Sequence, residues 1–390
     1  MADLKAVIVG CGGMGYAHAS SIRKEPGIEV VGGCDIVPEA LEKFRQAWGV
    51  KHLYATWDEL YERAKPDIAV ITTHAPQHAA ATIEAADRGI HVFCEKPMAV
   101  SLAECDAMIA ACDRNKVKLA INHIKRGSRY NQLARKLIAS GKLGEVFAID
   151  AYTKGGRTSG IEMMEMGTHI SDWCRVFATE VRWVHAHITT DGVEPSVAQV
   201  KWSQEVDPRD RDCGLVVGHR TFASFAAAGG VHIDINFLMN LQNDDHGYGL
   251  DIIGSKGRLA LRGSVRTWMW EHSGSHMSPV YRHQWIPVTL PAEDAPEGWP
   301  LTADENRDLI QRNMLRDLME AMREDREPFS SGRDGRAALE MMHGAWESHR
   351  RAARIPLPMT LRAPAGNLAR RNRGRHSAIG VDHDFRWRAR

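Results

Sequence analysis

Short apolar runs alternate with helical patterns in the first part of the chain. Five runs have the length and composition of buried strands: Ala6–Gly10, Ile28–Cys34, Ile68–Thr72, His91–Cys94 and Lys118–Asn122. The stretches between them have helical periodicity and short connections. This alternation predicts a parallel, doubly wound α/β sheet with helices on both faces, in which ligands bind at the carboxyl ends of the strands.

The pattern changes after Asn122. A helical stretch at Tyr130–Ser140 ends in Gly141. Five stretches of alternating polarity then predict a mainly antiparallel sheet: Val146–Tyr152, Val181–Thr190, Thr221–Ala227, Val231–Leu238 and Arg258–Leu261. Long helices are predicted near Glu305–Arg323 and Gly335–Ala353, where they either pack on this sheet or return to the first domain.

The length of 390 residues exceeds what one hydrophobic core usually supports, and the composition of 44% hydrophobic and 25% charged residues is typical of globular proteins. We expect three parts: a Rossmann dinucleotide-binding domain (1–122), an α+β substrate-binding and oligomerisation domain (123–356) and an arginine-rich tail (357–390). The tail has few apolar residues, so it is either solvated or contacts a neighbouring subunit.

Basic and acidic side chains nearly cancel, with 50 Lys and Arg against 49 Asp and Glu. No overall field attracts nucleic acid or an anionic membrane, and a small neutral substrate fits best. The seven cysteines include no Cys-x-x-Cys pair, which favours reduced thiols over a zinc site. Without a signal-peptide pattern or a long apolar run, the expected location is the cytoplasm.

A glycine-rich turn follows the first predicted strand. It consists of Gly10-Cys11-Gly12-Gly13-Met14-Gly15. Gly10 permits the tight turn, Gly12 lets the backbone approach a pyrophosphate, and Gly15 lets the next helix pack closely on the strand. The amide groups at the start of that helix would bind the phosphates, with Gly13 and Met14 in its first turn.

Asp35 follows the second strand and lies twenty residues after Gly15. A carboxylate there accepts hydrogen bonds from ribose hydroxyls and repels a 2′-phosphate. The pattern therefore predicts NAD as the preferred cofactor and leaves NADP open. The alternative role for Asp35 is to cap the helix that begins near Pro38.

Three further segments resemble the motifs of the Gfo/Idh/MocA oxidoreductases, the family of glucose-fructose oxidoreductase and inositol dehydrogenases. The three segments, in the family's order, are Thr72-Thr73-His74-Ala75-Pro76-Gln77-His78 after the fourth strand of the fold, Cys94-Glu95-Lys96-Pro97 with the Glu-Lys-Pro signature after the fifth, and Gly167-Thr168-His169-Ile170-Ser171-Asp172 on the active-site helix. The resemblance covers roughly residues 4 to 355.

The resemblance implies a two-domain subunit with a nicotinamide cofactor across the strand ends and a second-domain sheet that forms homodimers or homotetramers. It also implies a cis bond before Pro97. Further cofactor contacts are expected, by resemblance, at Thr73, His74, Pro76, His78, Glu95 and Lys96.

Lys96 and His169 carry the predicted chemistry. An ammonium group just beyond a strand end can donate to the reacting oxygen and stabilise alkoxide charge. An imidazole titrates near neutral pH, which suits a general base or acid in alcohol–carbonyl interconversion. On a helix, Glu165 and Asp172 would lie near the face of His169, where one carboxylate could orient the ring. The family usually has aspartate at the position of Glu165, so this departure leaves the substrate open.

Lys125 and Arg126 follow the last Rossmann strand, where relatives often present a basic residue to the substrate or cofactor; a solvated linker is the alternative. Weaker candidates for substrate binding are Arg157, Asn243, Asp244 and His246. We expect no metal, because Pro76 prevents a regular helix between His74 and His78, and the pair Glu165 and His169 lacks a third ligand.

The residues together predict an NAD(P)-dependent oxidoreductase that transfers hydride between nicotinamide and a hydroxyl carbon of a sugar, glycoside or inositol-type polyol. Two alternatives remain open. A redox-neutral NAD-dependent glycosidase would oxidise a sugar transiently, eliminate the aglycone and restore the hydroxyl. A non-enzymatic dinucleotide-binding regulator would keep the fold without turnover, although the presence of both Lys96 and His169 argues against it.

Overall fold

The computed structural model describes residues 4–153, 159–238, 247–263, 267–274 and 284–359. Two large sheets organise this part of the chain. The first is purely parallel and the second is mixed but mostly antiparallel, so the predicted combination of a Rossmann fold with an α+β second part is confirmed.

Six parallel strands form the first sheet: β1 (Leu4–Val9), β2 (Ile28–Cys34), β3 (His52–Tyr54), β4 (Ile68–Ile71), β5 (His91–Cys94) and β6 (Leu119–Ile121). Their order is β3-β2-β1-β4-β5-β6. The central strand β4 is buried along its whole length, as expected for a sheet covered on both faces. The strand order reverses between β1 and β4, so a ligand crevice opens beyond their carboxyl ends.

Five helices connect these strands: α1 (Gly13–Arg23), α2 (Pro38–Trp48), α3 (Trp57–Ala64), α4 (Ala75–Asp87) and α5 (Leu102–Asn115). Local sequence explains several of their ends. Ser101 and Glu104 form a capping box at the start of α5, and Pro38 occupies the first turn of α2.

Nine strands form the second sheet: β7 (Val146–Tyr152), β8 (Val181–Thr189), β11 (Arg220–Ala227), β12 (His232–Leu238), β13 (Gly249–Gly254), β14 (Arg258–Arg262), β15 (Trp268–His272), β16 (Ile286–Val288) and β17 (Ile355–Pro356). Their order is β16-β15-β14-β13-β7-β12-β11-β8-β17, and only β7 and β12 pair in parallel. Two short strands, β9 (Lys201–Trp202) and β10 (Leu215–Val216), pair separately. Burial alternates along β8 and β11, so one face packs on the core and the other is open.

The remaining helices are α6 (Arg129–Ala139), α7 (Ser159–Glu165), α8 (Gly167–Arg175), α9 (Ser203–Val206), α10 (Ala303–Glu324) and α11 (Gly332–Arg351). A short 3-10 turn, Ile124–Gly127, follows β6. Leu315 of α10 shares a core with Ile8 of the first sheet. On α11, Leu339 packs in a first-sheet core and Met342 in the second-sheet core, so these helices return to the first sheet and join the two.

None of the helices in the described ranges is both long enough and apolar enough to cross a membrane.

Candidate active site

The glycine-rich loop between β1 and α1 forms a cradle. At Gly10 φ is +101°, and a Cβ there would lie 2.9 Å from the backbone carbonyl carbon of Thr72. A Cβ at Gly15 would lie 2.3 Å from the carbonyl oxygen of Gly10. By contrast, Gly12 and Gly13 have no heavy atom within 4 Å of the Cβ position, so the space beside them is open. The loop thus has no space for a Cβ at Gly10 or Gly15. The open space beside Gly12 and Gly13 fits the pyrophosphate of NAD.

Asp35 is held between this loop and the start of α2. Its Oδ2 accepts the N–H of Cys11 at 2.9 Å, and its Oδ1 accepts the N–H of Val37 at 2.9 Å. Each carboxylate oxygen can accept a further hydrogen bond, so acceptor capacity remains for ribose hydroxyls. Met14, in the first turn of α1, exposes 42% of its surface.

The loop after β4 lies at the same edge of the sheet. His74 is the N-cap of α4 and Pro76 lies in the first turn of that helix. His78 is buried, with Nδ1 2.9 Å from the carbonyl oxygen of Pro97 and Nε2 3.0 Å from that of Thr73. Burial lowers the pKa of His78, so the neutral ring donates to one carbonyl at a time and joins the two loops.

Glu95 is the centre of a buried hydrogen-bond network. Its Oε1 lies 2.7 Å from Nε2 of His18 and accepts from Nδ2 of Asn122 at 2.7 Å, while Oε2 accepts the N–H of Lys96 at 3.2 Å. Burial alone raises the pKa of Glu95, but the hydrogen bonds from His18 and Asn122 hold it at about 2. A charged carboxylate therefore ties α1 to the ends of β5 and β6. His18 and Asn122 are distant from Glu95 along the chain, so no local pattern predicted these two partners.

Lys96 extends from the end of β5 to the junction of α7 and α8. Its Nζ donates to the carbonyl oxygen of Glu165 at 3.3 Å, and the peptide bond between Lys96 and Pro97 is cis, as the resemblance implied. Glu165 is the last residue of α7, and His169 lies on the following helix, α8. The predicted ammonium group thus contacts the chain just before the helix that carries the predicted histidine.

His169 lies on α8, which packs against α11. A Cβ at Gly167 would lie 2.4 Å from Sδ of Met342, so glycine permits this close approach. The His169 ring is buried between two other rings. The His123 ring meets it edge-on at a centroid distance of 6.2 Å, and the Tyr248 ring stacks on it at 6.4 Å with a 29° tilt. His123 and Tyr248 were not predicted as site residues.

Asp172 is completely buried and binds Arg126. Both carboxylate oxygens accept from Nε of Arg126, at 3.0 and 2.9 Å, and Oδ1 also accepts from Nη2 at 2.8 Å. Arg126 also donates to Asp334 of α11 at 3.0 Å. Burial alone lowers the pKa of Arg126, but the two carboxylates raise it. Nδ1 of His123 is 3.6 Å from Asp172. Asp172 therefore anchors α8 to the turn after β6.

Lys125 is almost completely enclosed by protein. Its Nζ donates to the carbonyl oxygen of Gly263 at 2.7 Å and to Oγ1 of Thr267 at 3.2 Å, and it lies over the rings of Trp173 and Tyr248. The other candidates, Arg157, Asn243, Asp244 and His246, lie outside the described residues. Within the described residues, no group of three or more His, Cys, Asp or Glu side chains could hold a metal ion.

Several buried polar atoms near the strand ends have no hydrogen-bond partner among the described residues: Thr73 Oγ1, Asn122 Oδ1, both ring nitrogens of His123 and Thr168 Oγ1. Buried polar groups are normally hydrogen-bonded. Since these atoms lie beyond β4 and β6 and on the His169 helix, they fit a crevice that receives a polar ligand.

Comparisons with known proteins agree with the resemblance found in the sequence. Residues 4–123 match the profile of the GFO_IDH_MocA oxidoreductase family, described as an NAD-binding Rossmann fold. D-apiose dehydrogenase of Paraburkholderia graminis is 24% identical over 373 residues, covering 93% of this chain and 92% of the relative. These two matches bear out the resemblance to the Gfo/Idh/MocA oxidoreductases that the sequence motifs indicate.

Other relatives agree. Inositol 2-dehydrogenase of Salmonella typhimurium is 27% identical over 263 residues, covering 66% of this chain and 74% of the relative. The structure of levoglucosan dehydrogenase in complex with NADH and levoglucosan has the same fold, with a TM-score of 0.74 and 18% identity over 92% of this chain and 100% of that one. Residues 4–123 thus match the NAD-binding Rossmann fold of an oxidoreductase family, in agreement with the predicted cofactor.

Proposed function

We propose that this oxidoreductase oxidises a hydroxyl group of a sugar or related polyol, with Lys96 and His169 acting at the reacting oxygen. One observation carries the proposal. The Lys96 ammonium group, just beyond the end of β5, contacts the carbonyl oxygen of Glu165 at the end of α7, and His169 lies on the next helix. This contact supports a site in which a donor and a proton acceptor act together beyond the strand ends.

The two side chains have complementary roles. An ammonium group has three donors, and the carbonyl of Glu165 uses one of them, so Lys96 can still donate to the substrate oxygen. His169 removes the hydroxyl proton, and Lys96 stabilises the negative charge that develops on the oxygen. A nicotinamide cofactor bound at the strand ends would supply the hydride acceptor for the carbon that carries this oxygen.

The substrate class follows from the relatives and from the polar character of the site. The relatives named above are dehydrogenases of D-apiose and inositol, and levoglucosan is bound in a protein of the same fold. Such molecules carry several hydroxyls, which suit the unpaired polar atoms of Thr73, Asn122 and His123. These names favour a dehydrogenase over the glycosidase and regulator alternatives.

We further propose that the open face of the second sheet joins subunits into a homodimer or homotetramer. Strand register places Phe222 of β11, Tyr152 of β7 and Trp268 of β15 in one row on this face. Phe222 exposes 45% of its surface. An aromatic row of this kind is typical of association surfaces. Light scattering of the protein in solution measures the subunit number, and a monomer would contradict this proposal.

The experiment combines a substrate screen with two substitutions. Purified protein is incubated with NAD and a panel of sugars, glycosides and inositols while nicotinamide absorbance is followed. On the best substrate, Lys96→Met and His169→Ala should each lower kcat by about 10²–10⁴-fold with nearly unchanged NAD affinity. Lys51→Met, which removes an exposed lysine, is the control. Near-normal turnover in a folded His169→Ala protein would overturn the assignment of His169.

A further inference from the structure

A buried cation and an aromatic ring lie next to His169. We propose that Tyr248, held in place by the ammonium group of Lys125, positions the His169 imidazole for proton transfer. Both would be positioning residues, because neither role requires contact with the substrate. The inference rests on the proposed function of His169 as the proton acceptor.

Lys125 lies in a cage made by the second sheet and α8. Its Nζ is 4.1 Å from the centroid of the Trp173 ring and 4.9 Å from that of Tyr248. The carbonyl of Gly263 and the hydroxyl of Thr267 accept its hydrogen bonds. Only 1% of Lys125 is exposed. A buried ammonium group loses its hydration, so contacts with carbonyl, hydroxyl and ring faces must replace it.

The rings in this cage hold one another. Trp173 meets Tyr248 edge-on, with centroids 5.5 Å apart and planes at 84°. The indole N–H of Trp173 donates to Oδ1 of Asn131 at 2.8 Å, and Nδ2 of Asn131 donates to the carbonyl oxygen of Lys125 at 2.5 Å. The backbone and the ammonium group of Lys125 are therefore both fixed relative to Trp173, and the Tyr248 ring is fixed by both partners.

Tyr248 in turn limits the orientation of His169. The two ring centroids are 6.4 Å apart and the ring planes are tilted by 29°, so the tyrosine ring packs against one side of the imidazole. Tyr248 is 1% exposed and cannot move aside without opening the core. His123 contacts the imidazole edge-on from the turn after β6. A fixed ring keeps its nitrogen aligned with the substrate hydroxyl, and a misplacement of about 1 Å can cost about 10²-fold in rate.

The Lys125 cage explains why a cation is retained in the core. A methionine would fill similar space without losing hydration, so packing alone does not account for lysine. The ammonium group attracts the faces of both Trp173 and Tyr248, which gives the tyrosine ring a preferred place. This role differs from the substrate contact predicted for Lys125 from the sequence.

The test compares variants of Tyr248 with a core control. Tyr248→Leu removes the ring, Tyr248→Phe keeps the ring without the hydroxyl, and Phe225→Leu removes a buried ring from the same core. We expect Tyr248→Leu to lower kcat by about 10–100-fold while the Kd for NAD changes less than about threefold. Tyr248→Phe should retain most of the wild-type kcat that Tyr248→Leu loses. Phe225→Leu should lower the melting temperature with little effect on kcat.

Lys125→Met provides a second measurement that leaves both rings in place. It should lower kcat by about tenfold, again with nearly unchanged Kd for NAD. The inference is overturned if folded Tyr248→Leu or Lys125→Met keeps kcat within about twofold of the wild type, or if Tyr248→Phe is as slow as Tyr248→Leu. His169→Ala is measured in parallel. If His169→Ala keeps its activity, the proposed function has failed. If His169→Ala is inactive but Tyr248→Leu is active, only the inference about Tyr248 is refuted.

Discussion

The cofactor side of the site, around Gly10, Asp35 and Glu95, and the histidine side, around His169, are held by different interactions. Around the dinucleotide loop, backbone conformation at Gly10 and hydrogen bonds to Asp35 and Glu95 set the geometry, and nearly all partners belong to the first sheet. Around His169, rings and a buried ion pair set the geometry, and the partners come from α8, the residue before β13 and the turn after β6. The geometry of the cofactor side therefore depends mainly on the first sheet and its connections, whereas the geometry of the histidine side depends on contacts among several elements.

The largest effect is expected on the histidine side, from loss of the buried ion pair. Arg126→Met would leave the carboxylate of Asp172 buried without its bidentate partner. Removal of one partner from such a pair typically costs about 3–5 kcal/mol in the free energy of unfolding. Denaturant unfolding at pH 7 measures this loss.

Two controls distinguish the loss of the buried ion pair from a general effect of removing an arginine. Arg45→Met breaks an exposed pair with Glu42 on α2 and should leave the unfolding midpoint nearly unchanged. The double variant Arg126→Met with Asp172→Asn removes the uncompensated charge and should recover part of the loss. Equal stability of Arg126→Met and wild type would mean that solvent or another cation reaches Asp172.

A smaller loss of stability is expected from a substitution on the cofactor side, and this loss should depend on pH. The pKa of Glu95 is about 2 in the folded protein, below its ordinary value near 4.5. A lowered pKa stabilises the fold above about pH 4.5, and this contribution is lost as pH falls toward 2. Glu95→Gln should therefore be less stable than wild type at pH 7, by about 1–3 kcal/mol.

The difference between Glu95→Gln and wild type should shrink as the pH is lowered from 4.5 toward 2, because the carboxyl group is then protonated in the unfolded wild-type chain while it is still charged in the folded protein. Denaturant midpoints from pH 7 to pH 3 measure this trend. Glu104→Gln is a matched control on α5, since burial raises the pKa of that carboxyl group. A difference for Glu95→Gln that stays constant over this pH range would argue against a charged Glu95.

The same contrast explains which features could be predicted from the sequence. The glycine loop and the Glu-Lys-Pro segment are recognisable because each places its groups through its own backbone, immediately after a strand. The strand β3 has only three residues, too few to show an alternating pattern. The strands β16 and β17 have three and two residues, and they pair with neighbours in the second sheet.

The neighbours of His169 were missed for a different reason. Tyr248 and His123 lie 79 and 46 residues from it in the chain, and only docking of β13 and the turn after β6 brings the rings together. Helical spacing predicts that Asp172 lies near the face of His169, but it could not show that Arg126 binds the Asp172 carboxylate. Side-chain partners across elements depend on tertiary packing, which one sequence does not specify by periodicity.

The smallest effect expected is on cofactor choice, at Asp35. The carboxylate is fixed by the N–H groups of Cys11 and Val37 and keeps acceptor capacity for ribose hydroxyls. We expect wild type to bind NAD more tightly than NADP, because the negative charge repels a 2′-phosphate. Asp35→Asn keeps the size of the side chain but removes the charge. It should therefore lower the ratio of NAD affinity to NADP affinity by about tenfold.

Calorimetric titration of both cofactors with wild type and with Asp35→Asn, Asp35→Ser and Asp67→Asn measures this ratio. Asp67 also accepts a backbone N–H, from Lys5 at 2.8 Å, but it lies before β4 and away from the carboxyl ends of the strands. Its substitution should leave the ratio unchanged. Asp35→Ser also weakens the hydrogen bonds that hold the loop, so it should lower NAD affinity more than Asp35→Asn does. Equal or tighter binding of NADP by the wild-type protein would show that Asp35 does not select the cofactor, and that a cation near the ribose outweighs its charge.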